Sequence, residues 1–106
     1  MNISTTDSVP GRRITATKGL ALGSTVRAKH VGKDLAAGLK SIVGVELTGY
    51  SEMLNETREE SLSRMIAHAQ ELGADSVIGF RFMASNIAGG ASEILTYGTA
   101  VTTEIA

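Results

Sequence analysis

Few side chains in this 106-residue chain are spaced for chemistry. His68 and Glu71 stand one helical turn apart, a spacing that can bring an imidazole and a carboxylate to one divalent metal ion. Arg64, one turn earlier, adds a positive charge beside that pair. Arg81 lies mid-strand between Phe80 and Phe82, where a buried charge needs a partner. Glu93, on the strand expected to pair with it, is a candidate mate, and Tyr97 completes the candidate ligand-binding set. Two readings of Arg81 stand side by side. It is a guanidinium that snorkels to a rim partner, or one aimed into an inter-subunit groove, ready for a small anion such as carboxylate or phosphate. His30, between Lys29 and Lys33, reads as a surface histidine or as an anion contact.

Other chemistries lack their residues. There is no cysteine, which excludes disulfides, thiolate metal sites and a cysteine nucleophile. Gly32-Lys33-Asp34 resembles the tail of a phosphate loop, but Arg27 stands where the first glycine belongs and Asp34 where Ser or Thr must bind magnesium. No GxGxxG and no GxSxG occurs, and neither histidine has an obvious Ser/Asp partner by pattern. With no nucleophile–base or paired-acid set, the expectation is a non-enzymatic protein.

The elements that must position these residues follow from periodicity. Pro10-Gly11 marks a turn, and residues 12–27, rich in Thr, Val and Ile but broken by Gly19 and Gly23, read as one long bulged strand or two short ones. Asp34 to Val43 reads as a short helix with Leu35, Leu39, Ile42 and Val43 on one face. Tyr50 to Leu72 reads as the dominant helix, with Met53, Leu54, Leu62, Met65, Ile66, Ala69 and Leu72 as its apolar stripe and Gly73 as its stop. Thr57, Arg58 and Ser61 interrupt that stripe, so its first half is expected to be less buried or to face another subunit. Two strands close the chain. Residues 76–84 are expected to put Ile78, Phe80, Phe82 and Ala84 on one face, with Val77, Gly79, Arg81 and Met83 on the other. Residues 92–105 alternate likewise, and Ala88-Gly89-Gly90-Ala91 links the two as a hairpin.

Length and composition fit a single globular domain over residues 1–106, and the elements above make it α+β. Its small sheet would pack on one long and one short helix. Residues 1–45 carry a net charge of +5 and residues 46–106 one of −6. The readings are charges mixed on one surface, packing between oppositely charged subunits, or a phosphate-attracting half. The aromatic platforms of single-strand binders are missing, so no nucleic acid is expected. The start of the chain has neither a basic nor an apolar leader region, and no apolar run approaches ~18 residues, so no membrane partner is expected. Both faces of the two closing strands are apolar or small. One long and one short helix cover a single face of a small sheet, so the second face calls for a homo-oligomer, the alternative being a second layer built from the short helix alone.

Five segments carry a resemblance: Ser4-Thr5-Thr6, Gly38-Leu39-Lys40-Ser41-Ile42-Val43-Gly44, Thr48-Gly49-Tyr50, Leu72-Gly73-Ala74-Asp75-Ser76-Val77-Ile78-Gly79 and Tyr97-Gly98-Thr99-Ala100-Val101. Together they resemble the YbjQ family of small bacterial and archaeal proteins, which carries a heavy-metal-binding label. The resemblance covers nearly the whole chain. It implies a βαββ-type subunit similar to the dodecin-like fold, assembly as a ring-shaped homopentamer, and a cytoplasmic location. It implies a metal-ion or small-ligand-binding oligomer with no established reaction. The alternatives are a structural or interaction ring, or an anion-binding module centred on Arg81. Where many relatives carry alternating acids in the strand after the long helix, this chain has Arg81, Met83 and Ser85, and Val45 replaces the second Gly of the usual Gly-Gly. A like charge at ~4 Å costs a cation about 4 kcal/mol at an effective dielectric of 20.

Overall fold

The computed structural model describes residues 1–28, 48–87 and 91–106. The expected short helix at Asp34–Val43, together with His30 and Lys33, lies outside the described residues. The elements run β1 (Asn2–Ile3), β2 (Arg12–Ala28), α1 (Thr48–Glu71), β3 (Ser76–Ile87) and β4 (Ala91–Ile105). They form one mixed sheet in the order β1-β3-β4-β2, with α1 packed on one face. This is an α+β fold of two layers.

β4 runs antiparallel to both β3 and β2, so the chain goes β2–α1–β3–β4 with β4 inserted between the strands that the helix connects. β1 pairs parallel with the start of β3, Asn2 opposite Ser76. Two residues are too short to show any period, so sequence patterning misses this strand.

β2 is a single 17-residue strand. Its register slips between Ile14 and Ala16 and again between Thr17 and Gly19, which are the bulges its threonines and glycine allow.

α1 ends where the sequence says it must. Gly73 adopts a left-handed φ of 82°, its N–H bonds the Gln70 carbonyl, and the Ala74 N–H bonds the Ala69 carbonyl at 3.1 Å. That pair of bonds is a Schellman stop.

The line of α1 that meets the sheet is Met53, Thr57, Ser61, Met65 and Ala69, all buried. Thr57 and Ser61 were expected to mark a less buried half. The structure puts them at 1% and 0% exposure instead. The reason is distance: the helix lies directly on the backbone of β2 at Gly23, where only small side chains fit. A Cβ on Gly23 would overlap the Ser61 carbonyl oxygen and the Met65 nitrogen. The hydroxyls are satisfied locally. Thr57 Oγ1 donates to the Met53 carbonyl at 2.7 Å. Ser61 Oγ lies 2.7 Å from the Gly23 carbonyl and 2.7 Å from Thr96 Oγ1. Ser61 has one proton to give, so it donates to a carbonyl and accepts from Thr96.

The apolar centre comprises Ala21, Met65, Ala69, Val77 and Ala100, with Leu62, Ile66, Leu72 and Phe80 against it. Val77 belongs to this side, which corrects the expected strand faces. A bulge between Ile78 and Arg81, with Gly79 at φ 61°, inserts one residue and reverses the alternation. Val77, Phe80, Phe82 and Ala84 therefore share the helix face, whereas Ile78, Arg81 and Met83 share the other.

Candidate functional site

The face of the sheet away from α1 is built from four cross-strand rows read over β3, β4 and β2: Ser85–Glu93–Val26, Met83–Leu95–Ser24, Arg81–Tyr97–Leu22 and Ile78–Thr99–Leu20. Alternation sends every second residue here. Leu20, Leu22, Val26 and Met83 are 56%, 40%, 55% and 52% exposed. Tyr97 and Leu95 are half-buried among them. Among the described residues nothing covers this face.

The register decides between the expected partners of Arg81. Tyr97 stands directly opposite it, and Glu93 stands opposite Ser85. Four positions of β4 separate Tyr97 from Glu93, about 13 Å at 3.3 Å per residue. Arg81 and Glu93 are therefore not a pair within the subunit, which corrects the sequence expectation. Glu93 Oε2 accepts from Ser24 Oγ at 3.2 Å on the neighbouring strand.

Arg81 is exposed, not buried mid-strand. Its Nη1 donates to the Thr5 carbonyl at 2.8 Å and to the Phe80 carbonyl at 2.7 Å. The Thr5 contact belongs to a wider arrangement. The Phe80 N–H bonds the Ser4 carbonyl at 3.0 Å and the Gly79 N–H bonds the Thr6 carbonyl at 2.8 Å. The carbonyls of Ser4, Thr5 and Thr6 thus receive the donors that the β3 bulge turns outward. This is what the Ser4-Thr5-Thr6 and Val77-Ile78-Gly79 segments do for each other. Arg81 ties the two together with one nitrogen, Nη1.

His68 has a different role from the expected one. Its Nδ1 accepts the Leu22 backbone N–H at 3.0 Å. Arg64, one turn before, donates from Nη1 to the Ser24 carbonyl at 2.6 Å and from Nη2 to Glu60 at 2.6 Å. Leu22 and Ser24 are alternate residues of β2, the edge strand of the sheet, and α1 engages a backbone group of each. Two helix side chains thus stand in for a neighbouring strand along an edge that would otherwise invite pairing.

A neutral imidazole has a single lone-pair nitrogen, and here that lone pair is engaged. Glu71 is exposed at the end of α1. Among the described residues no three His, Cys, Asp or Glu side chains converge as a metal site. His68 and Glu71 therefore do not fit a heavy-metal centre, since such an ion needs more ligands than one engaged imidazole and one solvated carboxylate.

Sequence reasoning gave Asp75 no role beyond its place in the Leu72–Gly79 segment. It is the hub of the opposite end of the sheet. Its Oδ2 accepts the Thr103 backbone N–H at 3.0 Å, and its Oδ1 accepts Thr103 Oγ1 and Ser76 Oγ, each at 2.7 Å. Arg12 Nε donates in turn to Thr103 Oγ1 at 2.7 Å, and Asn2 Nδ2 to Ser76 Oγ at 3.3 Å. The Thr103 N–H above all, then the two hydroxyls and the Arg12 charge, hold the Asp75 carboxyl down from 3.8 to about 2. The network fastens β1, β2, β3 and β4 together. Its only sequence signal was an acid just past a helix stop.

No helix among the described residues is long and apolar enough to cross a membrane. Comparison with known proteins agrees with the fold and with the resemblance. A solved structure from Pediococcus pentosaceus, described as a protein of unknown function of the DUF74 family, superposes with a TM-score of 0.60 over 98% of both chains at 18% identity. It shares the fold. Relatives named UPF0145 protein are 55% identical over 95% of both chains in Methanosarcina acetivorans, and 53% identical over 98% of both in Thermotoga petrophila. One from Acinetobacter baylyi is 60% identical over 88% of this chain and 86% of its own. The YbjQ family, described as "Putative heavy-metal-binding", matches residues 1–104. With the Ser4-Thr5-Thr6 clasp, the Leu72–Gly79 turn and the Tyr97–Val101 strand all in place, the chain belongs to the YbjQ family.

Proposed function

We propose that this protein is a non-enzymatic binding protein that works as an assembly of identical copies joined through the open face of its sheet. The observation that carries this reading is the set of Leu20, Leu22, Val26 and Met83, each 40% exposed or more, on one face of the sheet. Surfaces of this kind mark association sites. The size of the molecule supports it. Its accessible surface is 6572 Å², against about 5,600 Å² for a compact 11.0 kDa monomer. The surplus of roughly 1,000 Å² matches the ~800 Å² per partner of a standard interface. The Cα radius of gyration, 17.4 Å against about 13 Å for a compact domain of this length, fits an extended subunit with surface to spare for a neighbour.

Charge complementarity adds a register. Arg81 and Glu93 lie about four residues apart on this face, too far to pair within one copy. A second copy can bring its own Glu93 to this Arg81. A small anion on the free donors of Arg81, beside Tyr97, is the second reading, favoured by the half-used guanidinium. A heavy-metal role finds no support in His68 and Glu71.

The test is the mass of the untagged protein by light scattering, for wild type and for Leu22→Glu with Val26→Glu. The expected result is a multiple of 11.0 kDa, with five-fold the value that the family resemblance implies, and 11.0 kDa for the variant with an unchanged far-ultraviolet spectrum. A wild-type monomer at micromolar concentration refutes the reading. A phosphate-induced thermal shift lost in Arg81→Ala selects the anion reading.

A further inference from the structure

On the helix side of the sheet, away from the open face, α1 covers β2 and β4 more than β3. One flank of α1 and the outer half of β3 therefore meet at an open angle. That angle holds a cleft of about 260 Å³ lined by Ser51, Leu54, Asn55, Arg58, Ala84 and Ile94.

Its origin is legible residue by residue. Positions 51, 54, 55 and 58 follow the i, i+3, i+4, i+7 spacing of one helical stripe. Ala84 and Ile94 are a cross-strand pair on the face below it. One pair along the same face, β3 carries Phe82, whose ring meets Phe80 edge-on at 4.8 Å. Where a third aromatic would continue that row, the chain has Ala84. The missing side chain is the cleft.

The lining is divided by chemistry. Leu54, Ala84 and the 3%-exposed Ile94 are apolar. The helix supplies the polar side: the Ser51 hydroxyl, the Asn55 amide and the Arg58 guanidinium. Arg58 Nη2 donates to Asn55 Oδ1, which holds the guanidinium against the helix and leaves its other N–H groups and the Asn55 NH₂ as donors. Among the described residues no carboxylate lines the cleft. A pocket whose polar groups include an arginine and a second amide donor, set against an apolar wall, selects an anion with an apolar tail.

We propose that this cleft binds a short- to medium-chain monocarboxylate, its carboxylate on Arg58 and its chain over Leu54, Ala84 and Ile94. At about 30 Å³ per water-sized group, the volume suits roughly nine heavy atoms, which is the size of a six- to seven-carbon acid. The site is independent of the open sheet face, so assembly and ligand binding fail or succeed separately.

The test uses hexanoate as probe on the full-length protein, followed by amide chemical shifts at constant ionic strength, with hexylamine as the control of opposite charge. The expected result is saturable shifts at residues 51–58, 84 and 94, with a dissociation constant of about 1 mM or tighter. Arg58→Gln should weaken binding at least tenfold, because an exposed helix residue is lost without harm to the core. Ala84→Phe should abolish it by filling the space. Equal shifts with hexylamine, shifts that do not saturate, or full affinity in Ala84→Phe overturn the proposal. If Ala84→Phe disturbs the fold, Arg58→Gln against hexylamine still decides.

Discussion

Gly23→Ala is the sharpest perturbation the structure offers, because the three atoms nearest an added methyl group are all backbone of α1. Its Cβ would lie well under 3.0 Å from the Ser61 carbonyl oxygen and the Met65 nitrogen, and 3.0 Å from Met65 Cα. None of these atoms belongs to a side chain that can rotate away. The helix must lift from β2 as a body. Overpacking alone costs ~1–3 kcal/mol. Lifting α1 also pulls Ser61 Oγ from the Gly23 carbonyl and from Thr96 Oγ1, both at 2.7 Å and fully buried. Leaving buried polar groups unpaired adds ~1–3 kcal/mol. We expect a loss of about 3–5 kcal/mol, a large share of the ~5–15 kcal/mol that holds a domain together. At roughly 4 °C per kcal/mol for a chain of this length, Tm should fall by about 12–20 °C. Calorimetry or far-ultraviolet circular dichroism measures it. Truncating Met65 as well should not rescue the variant, since the clash is with its nitrogen and Cα. A fall of less than about 4 °C, or rescue by Met65→Ala, would refute the account of this contact.

Two further expectations concern single side chains. The Asp75 carboxyl is held down to about 2 in the folded protein against 3.8 unfolded, so it stabilises the fold fully above 3.8, and that contribution disappears as pH falls toward 2. The urea midpoint of wild type should drop over that window, and Asp75→Asn should be weaker at neutral pH but flatter below 4; parallel curves would contradict the network. His68→Gln keeps an acceptor for the Leu22 N–H whereas His68→Val does not. Hydrogen exchange at the Leu22 amide should therefore quicken in the valine variant alone, by about fivefold for ~1 kcal/mol, and zinc, nickel or copper should shift Tm equally in wild type and in His68→Val. A metal-induced shift lost in His68→Val would restore His68 as a ligand.

Local order was readable in the sequence because it rests on local chemistry. The helix was placed at 50–72 and spans Thr48–Glu71, since apolar recurrence and a glycine stop act within a few residues. Alternation gave the even-numbered face of β4, and the long first strand with its threonines and glycines appeared with the bulges expected of it. The Glu60–Arg64 pair follows from i,i+4 spacing alone. The open face was legible in part for the same reason: apolar residues on alternate positions can be counted without knowing what lies over them.

What required the tertiary structure was everything set by register and by close approach. One bulge at Gly79 moved Val77 to the core and put Ile78 and Arg81 on the open face, and a single inserted residue leaves no periodic trace. The pairing of β3 with β4 placed Tyr97, not Glu93, opposite Arg81, because hairpin register depends on a link whose length a sequence shows but whose geometry it does not. Ser61 and Thr57 read as polar interruptions of a helix and proved to be core residues, since only the distance from α1 to β2 makes smallness worth more than hydrophobicity there. His68, a candidate metal ligand by spacing, caps a strand edge in the fold, where its Nδ1 holds the N–H of a residue 46 positions away. The sequence alone determined the long helix and the three long strands, from forces that act along the chain. Only the fold decided which side chains meet, because contacts between distant residues depend on registers and separations that local pattern does not encode.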